Sequence, residues 1–353
     1  MRDILYIIHM QTRRLGKTNV IVPAMGVGTM LWLSDKPSVE DEIMKTYTAC
    51  VDNGLSFFDT AEIYGNGKSE KIIGKCIKKD GRSVMIASKY APPSKMIPPL
   101  KRKGISADSP RALMKALDDS LSRLGINCID LYQIHAPPSR NTIADYMDVM
   151  AEAVKLGKVC AVGVCNFSES QIREAHTALS RHSIPLASAM VGYNLLRRWP
   201  ETNGVFNTCK ELEISLIPYA PLAEGILTGK YRNGKRKVPI GYVVALYFGH
   251  LNITKDRDKS VSFLRQLFSK PRELDQKKLE PLFCVMEEIA NNHEKTIAQV
   301  AINWFLSNEN ICIIPIPGMK NVQQVKDNLG ALNWNLTKEE RLRIEKAEFE
   351  SRD

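Results

Sequence analysis

The sequence predicts an α/β chain closed as a (β/α)8 TIM barrel, with a long loop after strand 7 and extra C-terminal helices. Three observations lead there. Short apolar runs of strand type alternate with helical patterns along most of the 353 residues, which argues for a parallel sheet. The alternation resolves into eight strand–helix pairs, and a barrel routinely takes a chain of this length as one domain, here 1–353. Polar groups gather at or just beyond the carboxyl ends of three strands, where the loops of a barrel carry chemistry. The runner-up, a doubly wound sheet, wants GxGxxG after the first strand. GVGTML at 26–31 lacks the third glycine, so that fold is rejected.

The elements follow in order. Residues 20–30 (VIVPAMGVGTM) read as the first strand, and a helix spans 38–53 with Ser38 as N-cap and Asp41 three residues on. In FFDTAEIYGNGKSE, 57–70, a short buried strand breaks at Asp59, a polar turn carries Tyr64 and Gly65, and a helix runs over 68–79. SVMIAS (83–88) is a buried strand ending at Lys89. Ser109–Pro110 opens a helix to Leu124, with Pro in the favoured first turn and Leu113, Leu117, Leu121 and Leu124 on one face. CIDLYQIH (128–135) is a strand stopped by Pro137–Pro138, and a helix at 143–156 leads to the strand 158–167. Ser168 caps the next helix, to about His182. Strand 186–194, a helix near 202–212 and strand 214–219 precede an irregular stretch, 220–278. Helices at 280–291 and 296–307, the strand 311–317, and a helix at 320–330 complete the pattern. A last helix starts at Thr337, with Glu340 closing a capping box.

Composition narrows the function classes. Hydrophobic content of 44% with 25% charged residues suits a globular chain with a sizeable core. Eight cysteines are scattered singly without CxxC pairs, so no metal and no disulfide are expected and a reducing, cytoplasmic setting is. Net charge is +10, but the basic stretches 78–82, 101–103 and 232–237 lie apart, without a zinc-finger spacing or a lysine-rich tail. A nucleic-acid partner is therefore not expected, and the basic balance suits an anionic cofactor. No apolar run approaches the roughly 18 residues of a membrane span. Residues 1–12 form an N-terminal extension, either an extra strand or the remnant of a targeting sequence.

Asp59, Tyr64, Lys89 and His135 are the candidate catalytic residues. Each has an ordinary explanation by itself: a helix cap, a loop aromatic, a solvated strand end, a core histidine. Together at one face of a barrel they make a site. The residue types fit carbonyl reduction. Hydride addition leaves an oxyanion that must be protonated, and a tyrosine of ordinary pKa, about 10, is a poor acid at neutral pH. An ammonium close by favours the phenolate and eases proton donation. Lys89 would supply that charge, Asp59 would keep it protonated and placed, and His135 would hydrogen-bond the carbonyl oxygen beside Tyr64. No side chain delivers hydride, so a cofactor is required.

The Asp-x-x-x-x-Tyr-Gly core at 59–65, with Lys89 and His135, resembles the aldo-keto reductase superfamily, and matches continue from about Arg13 to Ala347. The loop at 57–70 and the run PIPGMKNVQQVKDNLGAL (315–332) are most similar to plant and cyanobacterial members, a group that includes pyridoxal reductases. The resemblance implies NADPH and a small-molecule aldehyde or ketone as substrate. It implies no membrane partner, and a monomer or homo-oligomer. Asn166 matches the asparagine that binds the nicotinamide carboxamide, and Tyr219 matches the aromatic that stacks on its ring. Cys165 stands where the family has serine, and Met190 replaces a glutamine that also holds the carboxamide. Gly28, Thr29, Pro221, Leu222, Lys230 and Gly318 complete the implied cofactor set. Lys320 and Gln324 are the residues expected at the 2′-phosphate, with Asp327 and Asn328 at the adenine. The turn at 317–321 also suits a phosphate on general grounds, since a helix begins there after a late strand.

Arg232 is placed by the same resemblance near the pyrophosphate. GYVVALYFGHLNITKDRD (241–258), within the long loop 232–278, has no counterpart in the family pattern. The extended segment 89–104 and the start of the loop after His135 would shape the substrate pocket. Channel β-subunits of the superfamily keep the barrel and its four residues while acting mainly as regulatory subunits, and they give the alternative function, a redox sensor with little turnover.

Overall fold

In the computed structural model, residues 10–93, 109–139, 141–232 and 276–350 are described. The segments 94–104 and 241–258 and most of the N-terminal extension lie outside them. Two compact units are present. The first comprises the described parts of Met1–Val191, with Pro200–Tyr219 and Asn308–Lys326, and it holds the barrel.

Seven strands form one parallel sheet in chain order: β3 (Val27–Gly28), β4 (Phe57–Asp59), β5 (Met85–Tyr90), β6 (Ile129–Ile134), β7 (Val159–Cys165), β8 (Leu186–Gly192) and β9 (Ser215–Tyr219). Helices separate them: α1 (Pro37–Asp52), α2 (Lys68–Asp80), α3 (Ala112–Leu124), α4 (Ile143–Lys155), α5 (Glu169–Ser180) and the short pair α6 (Trp199–Thr202) and α7 (Val205–Glu211).

The eighth stave is residues 312–318, joined by isolated bridges on both sides. Its prolines explain why it forms no regular strand. Pro315 and Pro317 have no N–H, and their carbonyls accept from Gly26 and Gly28 (both 3.0 Å). Ile314 and Ile316 donate to the other side, to Leu216 (3.0 Å) and Pro218 (3.2 Å).

The sequence expectation of one strand over 20–30 is corrected. Pro23 ends β2 (Ile21–Pro23), which pairs antiparallel with β1 (Thr12–Arg14), and a separate strand, β3, then enters the barrel. This hairpin closes the amino end of the barrel: Ser215, at the start of β9, accepts from Gly16 N–H (2.8 Å) and donates to the Arg14 carbonyl (3.1 Å). Leu15 and Val22 pack with Phe57, Ala87, Leu131, Ala161, Ile217 and Ile314, the inward residues of alternate strand positions.

Ser38 is not a cap. Pro37 takes the first helical position, Lys36 precedes it without a side-chain cap bond, and Ser34 Oγ accepts from Lys36 N–H instead. The helix expected near 202–212 is broken at Gly204, which has φ +87°. Ser168 and Thr337 cap as the pattern predicts, each with its partner three residues on (Gln171, Glu340).

The second unit comprises Gly192–Trp199, the described parts of Ala220–Ser307, and Asp327–Asp353. Helices α8 (Gln276–Asn292) and α9 (Ile297–Leu306) and the last helix (Lys338–Glu350) build it. Tyr193 meets Trp304 and Phe305 edge-on at 5.4 and 5.3 Å, and buried Asn303 donates to the Ala331 and Trp334 carbonyls and accepts from Leu336 N–H. No described helix is long and apolar enough to cross a membrane.

Gly74 sets how closely α2 and α3 pack. A Cβ there would lie 2.5 and 2.8 Å from the carbonyl oxygens of Arg123 and Leu124, which are backbone and cannot swing away. Gly74→Ala is expected to lower stability by about 1–3 kcal/mol in urea unfolding, despite alanine's gain of about 1 kcal/mol in helix propensity. A variant as stable as the parent would show that the two helices have room to separate.

Candidate active site

Strand alternation delivers the site. In β4 and β5, Phe57 and Ala87 face the barrel interior, so Asp59 and Lys89, two residues on, face it as well. Lys89 is 0% exposed and Asp59 2%. Lys89 Nζ donates to Asp59 Oδ1 at 2.6 Å, to the Thr60 carbonyl at 2.7 Å and to the Tyr64 hydroxyl at 3.4 Å. All three ammonium donors are thereby used. His135, just past β6, meets the Tyr64 ring edge-on with centroids 5.9 Å apart, and its backbone N–H donates to the Tyr90 carbonyl. The four candidate catalytic residues are thus one cluster.

The electrostatics follow from burial and the ion pair. Burial by itself would depress Lys89; Asp59 first, then Tyr64 and Cys165, outweigh it and hold the ammonium above its ordinary value. Burial pushes Asp59 up, with Lys89 opposing. At 2.6 Å, with Lys89 held protonated, the two form an ion pair. His135 is pulled down to about 3 by burial and then by the Lys89 charge, so its ring is neutral at physiological pH. One point departs from the sequence reading. Lys89 does pull Tyr64 down, but burial exceeds it and raises the phenol to about 12. The hydroxyl is therefore protonated at neutral pH and held beside a fixed cation.

Residues the sequence reading did not assign support this cluster. Thr60 contributes a backbone carbonyl, for which no side-chain signal exists. Glu62 is buried, and its carboxylate accepts from Ala91 N–H at 2.8 Å. It ties the tyrosine loop to the exit of β5. Its spacing between Asp59 and Tyr64 was the available clue.

The positions matched to a cofactor divide between the units. In the first, Asn166 has a left-handed backbone (φ +60°), and its amide donates to the His135 carbonyl (3.2 Å) and accepts from Tyr219 Oη (2.9 Å). Cys165 and Met190 are paired across β7 and β8 and belong to the apolar core cluster, with the Cys165 thiol pushed up to about 12 by burial. Thr29 is fully buried and bonds the Asp59 carbonyl through both its N–H and its hydroxyl, so its role here is to hold the end of β4. Gly28 and Gly318 form a parallel bridge. Lys320 is exposed, with its N–H bonded to Gln324 Oε1 (2.7 Å), and Asn321 caps the helix Val322–Leu329 through Gln324 N–H.

In the second unit, Pro221 is buried and Leu222 precedes a 3-10 turn, Ala223–Thr228. Lys230 Nζ lies 5.0 Å from the centre of the Tyr231 ring. Asp327 is exposed and its carbonyl accepts from Gln299, while Asn328 is buried. Arg232, matched to a pyrophosphate contact, is instead ion-paired with Glu280 (2.5 Å) and Glu287 (2.8 Å). Among the described residues no cluster of His, Cys, Asp or Glu forms a metal site.

A parallel barrel thus presents a buried lysine–carboxylate pair, a tyrosine and a histidine together at its strand ends. The profile of the aldo/keto reductase family matches residues 24–348, and the chain belongs to that family. It is 34% identical to the chloroplastic pyridoxal reductase of Arabidopsis thaliana over 94% of this chain and 84% of that one. It is 32% identical to the aldo-keto reductase yakc of Schizosaccharomyces pombe, named for NADP(+), over 92% of this chain and 88% of that one. A crystal structure of the thermostable aldo-keto reductase Tm1743 superposes with a TM-score of 0.69 at 27% identity, covering 96% of this chain and all of that one.

Lys89→Met would leave the Asp59 carboxyl buried without its counter-ion. It is expected to lower stability by about 3–5 kcal/mol, with part of that regained in the double variant with Asp59→Asn. Unfolding titrations of Lys89→Met, Asp59→Asn and the double variant decide; additive losses would show that the pair does not act as a unit.

Proposed function

We propose that this chain, acting as a single aldo-keto reductase domain, reduces aldehydes or ketones to alcohols with NADPH. The observation that carries the proposal is the Lys89 ammonium, fully buried and held between Asp59 and the Tyr64 hydroxyl. When bound, the cofactor supplies the hydride. The chain's residues do the rest. Tyr64 Oη gives its proton to the oxygen on which charge develops, and Lys89, fixed by Asp59 and the Thr60 carbonyl, stabilises the phenolate that remains. Neutral His135 donates a second hydrogen bond to that oxygen.

The residues in the barrel unit fit the cofactor. The Asn166 amide is oriented by its left-handed backbone, by the His135 carbonyl and Cys165 on its nitrogen and by Tyr219 on its oxygen, and that oxygen keeps a second lone pair for a carboxamide N–H. Lys320 stands exposed beside the first turn of Val322–Leu329, where backbone N–H groups and the helix dipole favour an anion. This supports NADPH over NADH. Met30, Leu31 and Leu33 are exposed in the loop after β3, and the Leu33 side chain lies against Gly65, next to Tyr64. An apolar rim beside the proton donor favours carbonyl compounds with apolar substituents.

One observation favours a second reading. Where the family presents serine and glutamine to the cofactor, Cys165 and Met190 are buried and apolar and offer no comparable hydrogen bonds. A tightly held cofactor with slow turnover, as in a regulatory redox sensor, would tolerate that change.

A NADPH-oxidation assay across small aldehydes, pyridoxal and ketones separates the readings: repeated turnover supports the reductase, a single turnover the sensor. Tyr64→Phe is expected to lose at least about 100-fold in kcat, in line with general acid catalysis, while NADPH affinity measured by fluorescence stays unchanged. Preserved turnover would remove Tyr64 as the acid. Lys320→Ala is expected to weaken NADPH binding by roughly tenfold, the scale of one charge-assisted contact, and to leave NADH binding nearly unaltered. Equal losses for both cofactors would refute the assignment of Lys320 to the 2′-phosphate.

A further inference from the structure

Two thiols meet at the end of the barrel opposite the active site. Cys128 immediately precedes β6 and Cys160 is the second residue of β7, so both lie at the amino ends of strands whose carboxyl ends lead to His135 and Asn166. Their Sγ atoms are 3.1 Å apart across 32 residues of sequence. Cys160 is exposed and Cys128 half-buried, so a small oxidant reaches the pair from solvent. The approach does not depend on a loose loop. Ile129 and Val159 are in register as neighbouring strand residues, and Ile129 N–H donates to the Lys158 carbonyl at 3.0 Å. A disulfide needs its sulfurs about 2.05 Å apart, so closure asks for a movement of about 1 Å.

We propose that Cys128 and Cys160 are a thiol-oxidation site, forming under peroxide a reversible disulfide that staples β6 to β7. Cys160, the exposed thiol, attacks the peroxide: an S–O bond forms, the O–O bond breaks, and the departing hydroxide takes a proton and leaves as water. Cys128 Sγ then attacks the Cys160 sulfur. The S–S bond forms, the S–O bond breaks, and the second water carries away the Cys128 proton. Two thiols are oxidised and one peroxide is reduced. A dithiol reverses the step by exchange and becomes the disulfide itself. Burial, then the neighbouring Cys160 and Asp130, push the Cys128 thiol up to about 12, in keeping with its being the thiol that resolves rather than attacks. The sequence expectation of no disulfide rested on spacing along the chain, which does not show that Cys128 and Cys160 meet.

The experiment treats the folded full-length chain with hydrogen peroxide, alkylates the remaining thiols, and maps peptides by mass spectrometry without reduction. A linked pair holding Cys128 and Cys160 is expected, lost on treatment with dithiothreitol and absent from Cys160→Ser. Oxidised parent is expected to melt on the order of 5 °C above its reduced form, with no such rise in Cys160→Ser. Cys128→Ser serves as the second variant should Cys160→Ser fold poorly. Alkylation of both cysteines after peroxide, or a link through another cysteine such as Cys284, overturns the site. A Cys128–Cys160 link without a rise in melting temperature overturns the staple.

Discussion

The ion pair between Lys89 and Asp59 is the constraint on which the rest of the site depends. Removing an ammonium from water costs several kcal/mol even after relaxation, and the cost is met only if every donor finds an acceptor. Here the acceptors are a carboxylate, the Thr60 carbonyl and a phenol, the last also being the proposed proton donor. A lysine on a flexible loop would have water available and no reason to stay. Buried on a strand with two fixed acceptors, it keeps its charge next to Tyr64 in either state of the phenol. The arrangement therefore needs a rigid, closed sheet.

Closure of that sheet is achieved with unusual chemistry. The eighth stave contains two prolines that cannot donate, and the chain uses them where only acceptors are wanted, facing Gly26 and Gly28. The isoleucines between and before them supply donors to β9 and fill the interior. At the other end the hairpin β1–β2 covers the apolar interior with Leu15 and Val22. The two ends of the barrel thus carry different work: hairpin, apolar packing and the Cys128–Cys160 pair at one, polar side chains at the other. A staple across β6 and β7 would stiffen the strands bearing His135 and Asn166 without touching either residue.

Cys165 and Met190 place a buried, apolar pair beside the candidate cluster. A register shift between β7 and β8 brings the two side by side, inside the apolar cluster. Their burial adds hydrophobic stabilisation where a polar pair would need partners. Asn166 compensates in part, since it is anchored from three directions: the Met190 carbonyl on its N–H, the His135 carbonyl on its amide nitrogen, and Tyr219 on its amide oxygen. Under the proposed NADPH-dependent reading, cofactor orientation rests on one well-held amide.

Much of this was legible in the chain itself. Periodicity alone separates strands from helices, and capping residues such as Ser168 and Thr337 act through neighbours three positions away, so local sequence determined them. The same holds for the candidate cluster: residue types at strand ends, in a barrel order, identified Asp59, Tyr64, Lys89 and His135 together. What escaped was non-local. The division of 20–30 between a hairpin and a barrel strand depends on Gly26 and Gly28 meeting Pro315 and Pro317, nearly three hundred residues away. The balance of forces on Tyr64, the backbone carbonyl on Lys89, the diversion of Arg232 to two glutamates and the contact of Cys128 with Cys160 were settled by burial and by distances across strands. Desolvation and Coulomb terms depend on where the folded chain puts its atoms, and neither can be read from the order of residues.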